Sequence, residues 1–410
     1  MTDYLNKKQT NLLVIAAWTV YAAATLARLT YSASMVRIIS SLGITNAEAG
    51  TVLSAFAATY GAGQLVNGLL CRFYNIRLMV TLAMTVSSLV TFALPFSPSS
   101  TVMAILWAVN GAAQSVLWSL IIRTLSVYVA RERIGHAIVV ISTTTAVGTT
   151  AAYALSAVFV ALGAWQITFI VAAILCLASA ILWVSVIGSF GKPSGDKSAE
   201  SAENRNKKAS FSGYFITLFV FICVSAFCNG FVRDGVNSWM PKLLTDQFGV
   251  GDSMSIILTL ILPLFSVLGA IIARKTYYRM RNLGTLLCVF FGVTAFICAG
   301  VYFIYPARLL IPTVILFTFV SCGMAAVNNV TVGIFPIDNR SYMDAGASAG
   351  ILDTMCYVGS SAAGSIIGAT AESSGWERVF VILIVCAIVC TGVSALFAVF
   401  EHRKSKQISP

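Results

Sequence analysis

Charge and histidine are what this chain has least of. Of its 410 residues, 15 are Asp or Glu, and only His136 and His402 are histidine. Charged residues of all kinds make up 10%, whereas a soluble globular domain carries roughly a quarter. With so few titratable groups there is no Ser-His-Asp set and no His/Cys cluster at metal-ligand spacing. No Gly-rich loop is present to cradle a phosphate either. Enzymatic readings fail on these absences, and neither a metal nor another cofactor is expected.

Pattern is also missing from the ten cysteines. Cys71, Cys176, Cys223, Cys228, Cys288, Cys298, Cys322, Cys356, Cys386 and Cys390 all lie in apolar runs or at their edges, and none forms a C-x-x-C pair. They read as small apolar packing residues rather than disulfides or zinc ligands. No heptad or Gly-x-x-x-Gly pattern stands out as a dimerisation device, so a monomer is expected.

Apolar length is what remains, and there is a great deal of it. The chain is 58% hydrophobic with a mean hydropathy of +0.87. Apolar runs of about 20 residues, each enough to cross a bilayer, recur from end to end. Twelve are expected, near 12–38, 47–71, 78–95, 101–128, 135–161, 165–188, 213–242, 252–273, 283–304, 308–335, 344–371 and 376–400. Runs of this length specify helices, because barrel strands would be shorter and alternating. The first span carries Arg28 and lacks a clean cleavage signature, so it reads as a retained helix. Residues 191–210, GKPSGDKSAESAENRNKKAS, are polar without apolar periodicity and read as a flexible linker. The predicted fold is an all-α membrane protein of twelve transmembrane helices. Six form an N-terminal half, residues 1–190, and six a C-terminal half, residues 211–410.

The formal charge of +11 does not point to nucleic acid, because of where it falls. With both termini placed inside, 19 basic residues lie in cytoplasmic segments and 4 in outer loops. Arg28, Arg123 and Arg233 fall within spans. The bias fits an integral protein of a bacterial plasma membrane with both termini cytoplasmic.

Arg28 and Arg233 are the most informative residues. A guanidinium at bilayer depth costs roughly 2.5–3.5 kcal/mol on insertion scales, and these two occupy matching places. Arg28 precedes Met35 by seven residues, and Arg233 precedes Met240 by seven; Gly43 and Gly249 follow just before the next spans. Two repeats with a site at their interface is a common plan for secondary transporters. Two guanidinium forks can bind a phosphate or carboxylate bidentately. The competing reading pairs each arginine with a buried acid, Asp234 or Asp353. Asp234 follows Arg233 directly and is expected about 100° away around the helix, most simply in a structural ion pair. Arg123, near the end of its span, reads as structural.

Several stretches resemble known transporters. Gly68-Leu-Leu-Cys-Arg72 with Asn75 and Arg77, and Gly269-Ala-Ile-Ile-Ala273 with Arg274 and Lys275, resemble the loop signature of the major facilitator superfamily, without its acid. Arg28, Tyr60-Gly61, Gln114, Trp118, Arg123-Thr124 and Tyr357-Val358-Gly359 resemble the organophosphate:phosphate antiporter family of glycerol-phosphate and hexose-phosphate transporters. The run Arg233, Gly235, Trp239, Pro241 matches that family's R-x-G-x-x-x-W-x-P. The resemblance implies that Arg28 and Arg233 are its phosphate-binding arginines. Where the family has lysines, this chain has Leu29 and Gln64, and Thr143, Thr144 and Thr145 replace a histidine region. That departure favours a monoanion over a dianionic organophosphate.

The expected function is secondary active transport of a small organic anion, whether organophosphate, sugar acid or sulfonate. The anion would lie between Arg28 and Arg233 and move by alternating access, with a counter-anion or a proton. Two alternatives stay open: proton-coupled symport of a sugar acid, and a membrane sensor of an organic anion. Tyr60, Gln64, Gln114, Trp118, Asn328, Asn329 and Tyr357 are expected to line the site. Asp353, four residues before Tyr357 on one helix face, is either a proton carrier or hydroxyl ligand, or else a partner for one of the arginines.

Overall fold

The computed structural model describes residues 5–190, 213–280, 282–339, 342–343 and 345–408. The linker expected at 191–210 lies outside them. The described residues fold into helices: α1 (Lys7–Leu42), α2 (Asn46–Leu70), α3 (Ile76–Ala93), α4 (Ser100–Gln114), α5 (Leu117–Tyr128), α6 (Arg131–Ala161) and α7 (Gln166–Gly188). After the gap come α8 (Gly213–Phe248), α9 (Asp252–Thr259), α10 (Ile261–Arg279), α11 (Leu283–Ile304), α12 (Leu310–Asn328), the short α13 (Phe335–Asp338) and α14 (Ala345–Ile408).

Polar residues at their starts set the helices. Asn6 with Gln9 and Thr45 with Glu48 form capping boxes on α1 and α2. The side chains of Asn75, Ser99 and Asn282 accept from the first turns of α3, α4 and α11. α1 ends on Gly43 at φ 65°, and α8 is followed by Gly249 at φ 63°, a left-handed conformation glycine adopts without strain. Both helices are 36 residues long. Met35 and Met240 are both buried. The sequence repeat is thus also a repeat of length, cap and burial.

Ten helices, among the described residues, are long and apolar enough to cross a membrane. Large apolar side chains such as Phe296, Phe303 and Leu396 stand three-quarters or more exposed on the outside, as a lipid-facing surface requires. The chain is an integral membrane protein. Several expected spans are interrupted. The fourth divides at Ser115–Val116 into α4 and α5, and the eighth at Leu260 into α9 and α10. The tenth runs from α12 into a π-turn, Asn329–Ile334. The last two expected spans are present as two helices that meet at a kink, Gly375 at φ 79° and ψ 173°, and are labelled together as α14. The Gly269–Lys275 stretch, at the end of the expected eighth span, lies inside α10. α2 is not among the ten. Its Ser54, Tyr60 and Gln64 are buried against other helices.

α1 packs on α6 and α7, α2 on α4, and α3 on α7. α14 packs on α8 and α11, and α10 on α12. The N-terminal and C-terminal helices meet chiefly along α2 and α14. These helices run antiparallel, and their contacts form a ladder. Asn46 N–H donates to Glu372 at 2.8 Å, Ser361 Oγ to Ser54 O at 3.0 Å and Ser365 Oγ to Ser54 Oγ at 2.7 Å. Thr354 Oγ1 donates to Gly61 O at 3.1 Å, and Gln64 Nε2 to Asp353 Oδ2 at 3.2 Å. At Gly50 the α2 backbone lies against the backbone of Gly364, and a Cβ there would overlap its carbonyl. Gly364 and Gly368 form a Gly-x-x-x-Gly face within the chain. It seats α14 on α2 and Trp239 within one chain.

Contacts at the same end of the molecule join other helices. Arg37 pairs with Asp252 at 3.6 Å, Ser253 Oγ donates to Ala157 O at 2.7 Å, and Tyr153 OH to Asn237 O at 3.1 Å. Past Gln64 and Asp353 the ladder stops. Gly68 and Gly350 have open space where a Cβ would point. A cavity of about 2620 Å³ runs from Trp107, Trp239 and Ser360 past this point and opens toward Phe73, Ser126, Ile337 and Tyr342. The molecule is closed at one end and open at the other.

Candidate functional site

The cavity is walled by polar side chains at helical spacing from both sets of helices. α1 contributes Tyr21, Arg28 and Ser32, α2 contributes Tyr60 and Gln64, and α8 contributes Arg233, Asp234 and Asn237. α14 contributes Asp353, Tyr357 and Ser360. Spacings of three, four and seven residues put the members of each set on one face of its helix, except that Arg233 and Asp234 are adjacent and meet by bending toward each other. These polar stripes face one another across the cavity.

Arg28 is held by neutral groups. Its NH1 donates to Tyr60 OH at 3.4 Å and its NH2 to Thr25 Oγ1 at 3.3 Å. Its guanidinium carbon lies 5.8 Å from the Tyr21 ring centroid and 5.7 Å from that of Tyr60, within cation–π range. Trp118 packs on Tyr21 at 5.2 Å, and Tyr357 on Tyr60 at 4.5 Å. The aromatic rings fix where the guanidinium points without neutralising it. Among the described residues, Arg28 has no ion-pair partner.

Arg233 is held differently. Its Nε donates to Asp234 Oδ1 at 2.7 Å and its NH2 to Asp234 Oδ2 at 3.1 Å. The carboxylate expected about 100° away therefore folds back onto its neighbour and grips one whole edge of the guanidinium. Ser360 Oγ, from α14, donates to the same Oδ2 at 2.8 Å. Arg233 NH2 also lies 3.7 Å from Cys356 Sγ. Of the two competing readings, the acid partner holds for Arg233 and not for Arg28.

Gln64 joins the two sets of helices: its Nε2 lies 3.1 Å from Tyr60 OH and 3.2 Å from Asp353 Oδ2. A chain of contacts thus runs from Arg28 through Tyr60 and Gln64 to Asp353. Asn328 Oδ1 accepts from Asn229 Nδ2 at 3.1 Å. Asn329 opens the π-turn, a geometry often found at functional sites, and both asparagines line the cavity.

The cavity brings together nearly all of the expected residues: Arg28, Arg233, Tyr60, Gln64, Trp118, Asn328, Asn329, Tyr357 and Asp353. Gln114 is the exception. It is buried, its Nε2 donates to Ser87 Oγ at 2.9 Å and Asn110 Oδ1 at 3.2 Å, and it ties α4 to α3. The break after Gln114 turns Trp118 into the cavity without it. Arg123 donates to the carbonyls of Cys71 and Tyr74 at 2.5 and 2.8 Å, fastening the end of α2 at the open mouth.

Tyr21, Asp234 as a lining group, Ser360 and Cys356 were not foreseen. Tyr21 precedes Arg28 by seven residues and Asn229 precedes Arg233 by four, so helical spacing from each arginine was the available signal. All ten cysteines are free.

The model of the Major Facilitator Superfamily matches residues 16–364. The chain belongs to that superfamily. Curated relatives of this facilitator protein include the membrane sensor protein UhpC of Salmonella typhimurium, 22% identical over 94% of this chain and 89% of that one. Another is the probable hexose phosphate transport protein of Chlamydia pneumoniae, 20% identical over 88% of this chain and 85% of that one. These relatives bear out the resemblance to the organophosphate:phosphate antiporter family. Among solved structures, an inward-facing bacterial homolog of the human lysosomal transporter Spinster superposes with a TM-score of 0.76 at 13% identity, covering 96% of this chain and 98% of that one. The D-xylose-proton symporter superposes at 0.69 and 12%, over 96% of each. At such identities these structures share the fold. As a facilitator-superfamily member, the chain is of the transporter class and is not an enzyme.

Proposed function

We propose that the protein is a secondary active transporter of a small organic anion, working by alternating access. Its twelve traverses comprise the ten long helices, with α14 counted twice across Gly375, and α2. They form two six-helix halves, residues 1–190 and 211–410, joined by a cytoplasmic linker. The open mouth lies on the cytoplasmic side of a bacterial plasma membrane, the side on which the positive-inside bias puts both termini.

One observation carries the proposal. Arg28 points a guanidinium with no ion-pair partner among the described residues into a cavity of about 2620 Å³ between the halves. An unneutralised charge at membrane depth is costly unless it has a ligand to meet. The anion docks on Arg28, Arg233 faces it, and Gln64, Asn328, Asn329 and Tyr357 read its hydroxyls. Hexose phosphates, named for some relatives, are the first candidates to compare with sugar acids and sulfonates.

Charge balance supports coupling to a proton. Three arginines and two carboxylates line the cavity; Arg123 is held at the mouth by backbone carbonyls, which leaves Arg28, Arg233, Asp234 and Asp353 at the anion site, one acid more than Arg28, Arg233 and Asp353 alone would give. With both acids ionised the site is neutral, and a proton on Asp353 restores the single positive charge that matches a monoanion. Exchange against a counter-anion needs no such proton. A sensor reading is supported by the UhpC relatives. Counterflow of labelled anion in proteoliposomes separates these. Accumulation that depends on Arg28 supports transport, whereas saturable binding without counterflow means sensing.

A further inference from the structure

We infer that Asp234 sets the charge of the ligand this site accepts, acting as a built-in counter-ion that closes Arg233 to a second anionic charge. The inference rests on the anion reading above and deepens it.

The two arginines are equivalent in the repeat and unequal in the site. Arg28 meets a tyrosine hydroxyl, a threonine hydroxyl and two aromatic rings. Arg233 has its Nε and NH2 on the two oxygens of Asp234. Those atoms form the edge a guanidinium uses to grip a carboxylate or phosphate in parallel hydrogen bonds. With that edge occupied, Arg233 offers an incoming anion little more than NH1. A phosphate monoester carries nearly two charges at pH 7.5, its second pKa lying near 6. One of those charges finds an open fork on Arg28, and the other finds a fork already filled.

The Asp234 grip is a positioned feature. Neighbouring residues on a helix diverge by about 100°, so an adjacent pair meets only if both side chains bend toward each other. Ser360 holds the carboxylate in that posture from α14, donating to Oδ2 at 2.8 Å. Both members face the cavity, with side chains 21% and 24% exposed. A partly buried ion pair is often no more stabilising than apolar residues in its place, so stability alone is a weak reason for it. Its effect on the site is large, since it removes one unit of positive charge where the ligand binds.

An Asp234→Asn substitution keeps the shape and the acceptor for Ser360 but releases the charge of Arg233. Two shape-matched probes test this: methyl sulfate, a monoanion, and methyl phosphate, a dianion at pH 7.5. Their affinities are measured by thermal stabilisation of the full-length protein in lipid nanodiscs. The wild type is expected to prefer methyl sulfate. D234N should move the phosphate-to-sulfate affinity ratio toward phosphate by about tenfold or more. Ser360→Ala, which only loosens the carboxylate, should move it the same way by less. Arg28→Gln should abolish binding in the wild-type background, and D234N should partly restore methyl phosphate binding to it, because Arg233 is then free. A merely structural role for Asp234 would produce neither the ratio change nor the rescue. If the wild type binds methyl sulfate but D234N leaves the ratio within about twofold and rescues nothing, the charge-setting role is overturned and the anion site stands. If neither probe binds the wild type, the anion reading falls and this inference with it.

Discussion

Gln64 and Asp353 meet across the interface, Nε2 to Oδ2 at 3.2 Å, at the last rung of the α2–α14 ladder before the cavity opens. On one side of them, glycine and serine bring the two helices into backbone contact. On the other, nothing fills the space beside Gly68 and Gly350. The rung is therefore both part of the closed end and part of the anion site. Through Tyr60 it touches Arg28. A ligand that draws Arg28 or Asp353 toward itself acts directly on the contact that holds the halves together.

Gln64→Leu should loosen the closed end. It removes a hydrogen bond to a carboxylate, worth about 1.5–3 kcal/mol. The population open at the opposite end should rise by roughly tenfold or more. Hydrogen exchange over residues 46–64 of α2 is the measure. Unchanged protection would mean that the ladder above Gln64 suffices by itself.

Glycine at the α2–α14 crossing makes a steric prediction. A Cβ on Gly50 would overlap the Gly364 carbonyl, and both atoms belong to backbone. Gly50→Val should force these helices apart, disfavour the closed end and stop transport while the protein still inserts. Gly43→Val should not block closure, because nothing lies within 4 Å of its Cβ direction. It should instead strain the left-handed cap of α1, lowering stability by about 1 kcal/mol or more. Thermal melting and counterflow together distinguish the two outcomes.

The arginines should respond differently to removal. Arg28→Ala should leave a folded protein with anion affinity reduced by about 2–5 kcal/mol, and Arg28→Lys should also fail, because an ammonium lacks the fork. Arg233→Ala leaves Asp234 without its partner, so it should lower stability by about 1–3 kcal/mol. Arg233→Ala with Asp234→Ala should recover most of that loss. Melting temperatures of the four variants are the test. Equal melting of both Arg233 variants would show that Asp234 is content in water.

Much of this was legible in the chain. Helices were readable because polar caps and apolar runs mark them locally, and Arg28 and Arg233 stood out because a charge in an apolar run is a loud signal. The break at Leu260 had a signal in Pro263, which has no N–H to donate to the Thr259 carbonyl, whereas the polar Gln114 and Ser115 alone do not mark a break at Ser115–Val116. Gln114 was misplaced for a related reason. An amide in an apolar run gives the same signal whether it faces a cavity or Ser87 on a neighbouring helix, and only packing decides. Tyr21 gave only its seven-residue spacing from Arg28, because an aromatic residue in a membrane span looks like lipid contact until Arg28 is seen lying on its ring.

Coupling to protons follows from the charge count. Arg28, Arg233, Asp234 and Asp353 line one cavity, and Asp234 is committed to Arg233 while Asp353, among the described residues, has an amide from Gln64 and no ion pair. Asp353 is thus the acid free to take a proton. Protonation leaves one net positive charge and favours binding of a monoanion. Deprotonation on the other side returns the site to neutrality and favours release. An inward proton gradient, with the outside more acidic, should therefore drive uptake into proteoliposomes that hold no counter-anion. The reverse gradient should suppress it. Asp353→Asn imitates the protonated acid permanently, so it should keep exchange of anion for anion and lose the response to pH. Uptake that requires an internal anion and ignores the gradient would instead make the protein an obligatory exchanger, and would return Asp353 to the role of a hydroxyl ligand beside Gln64.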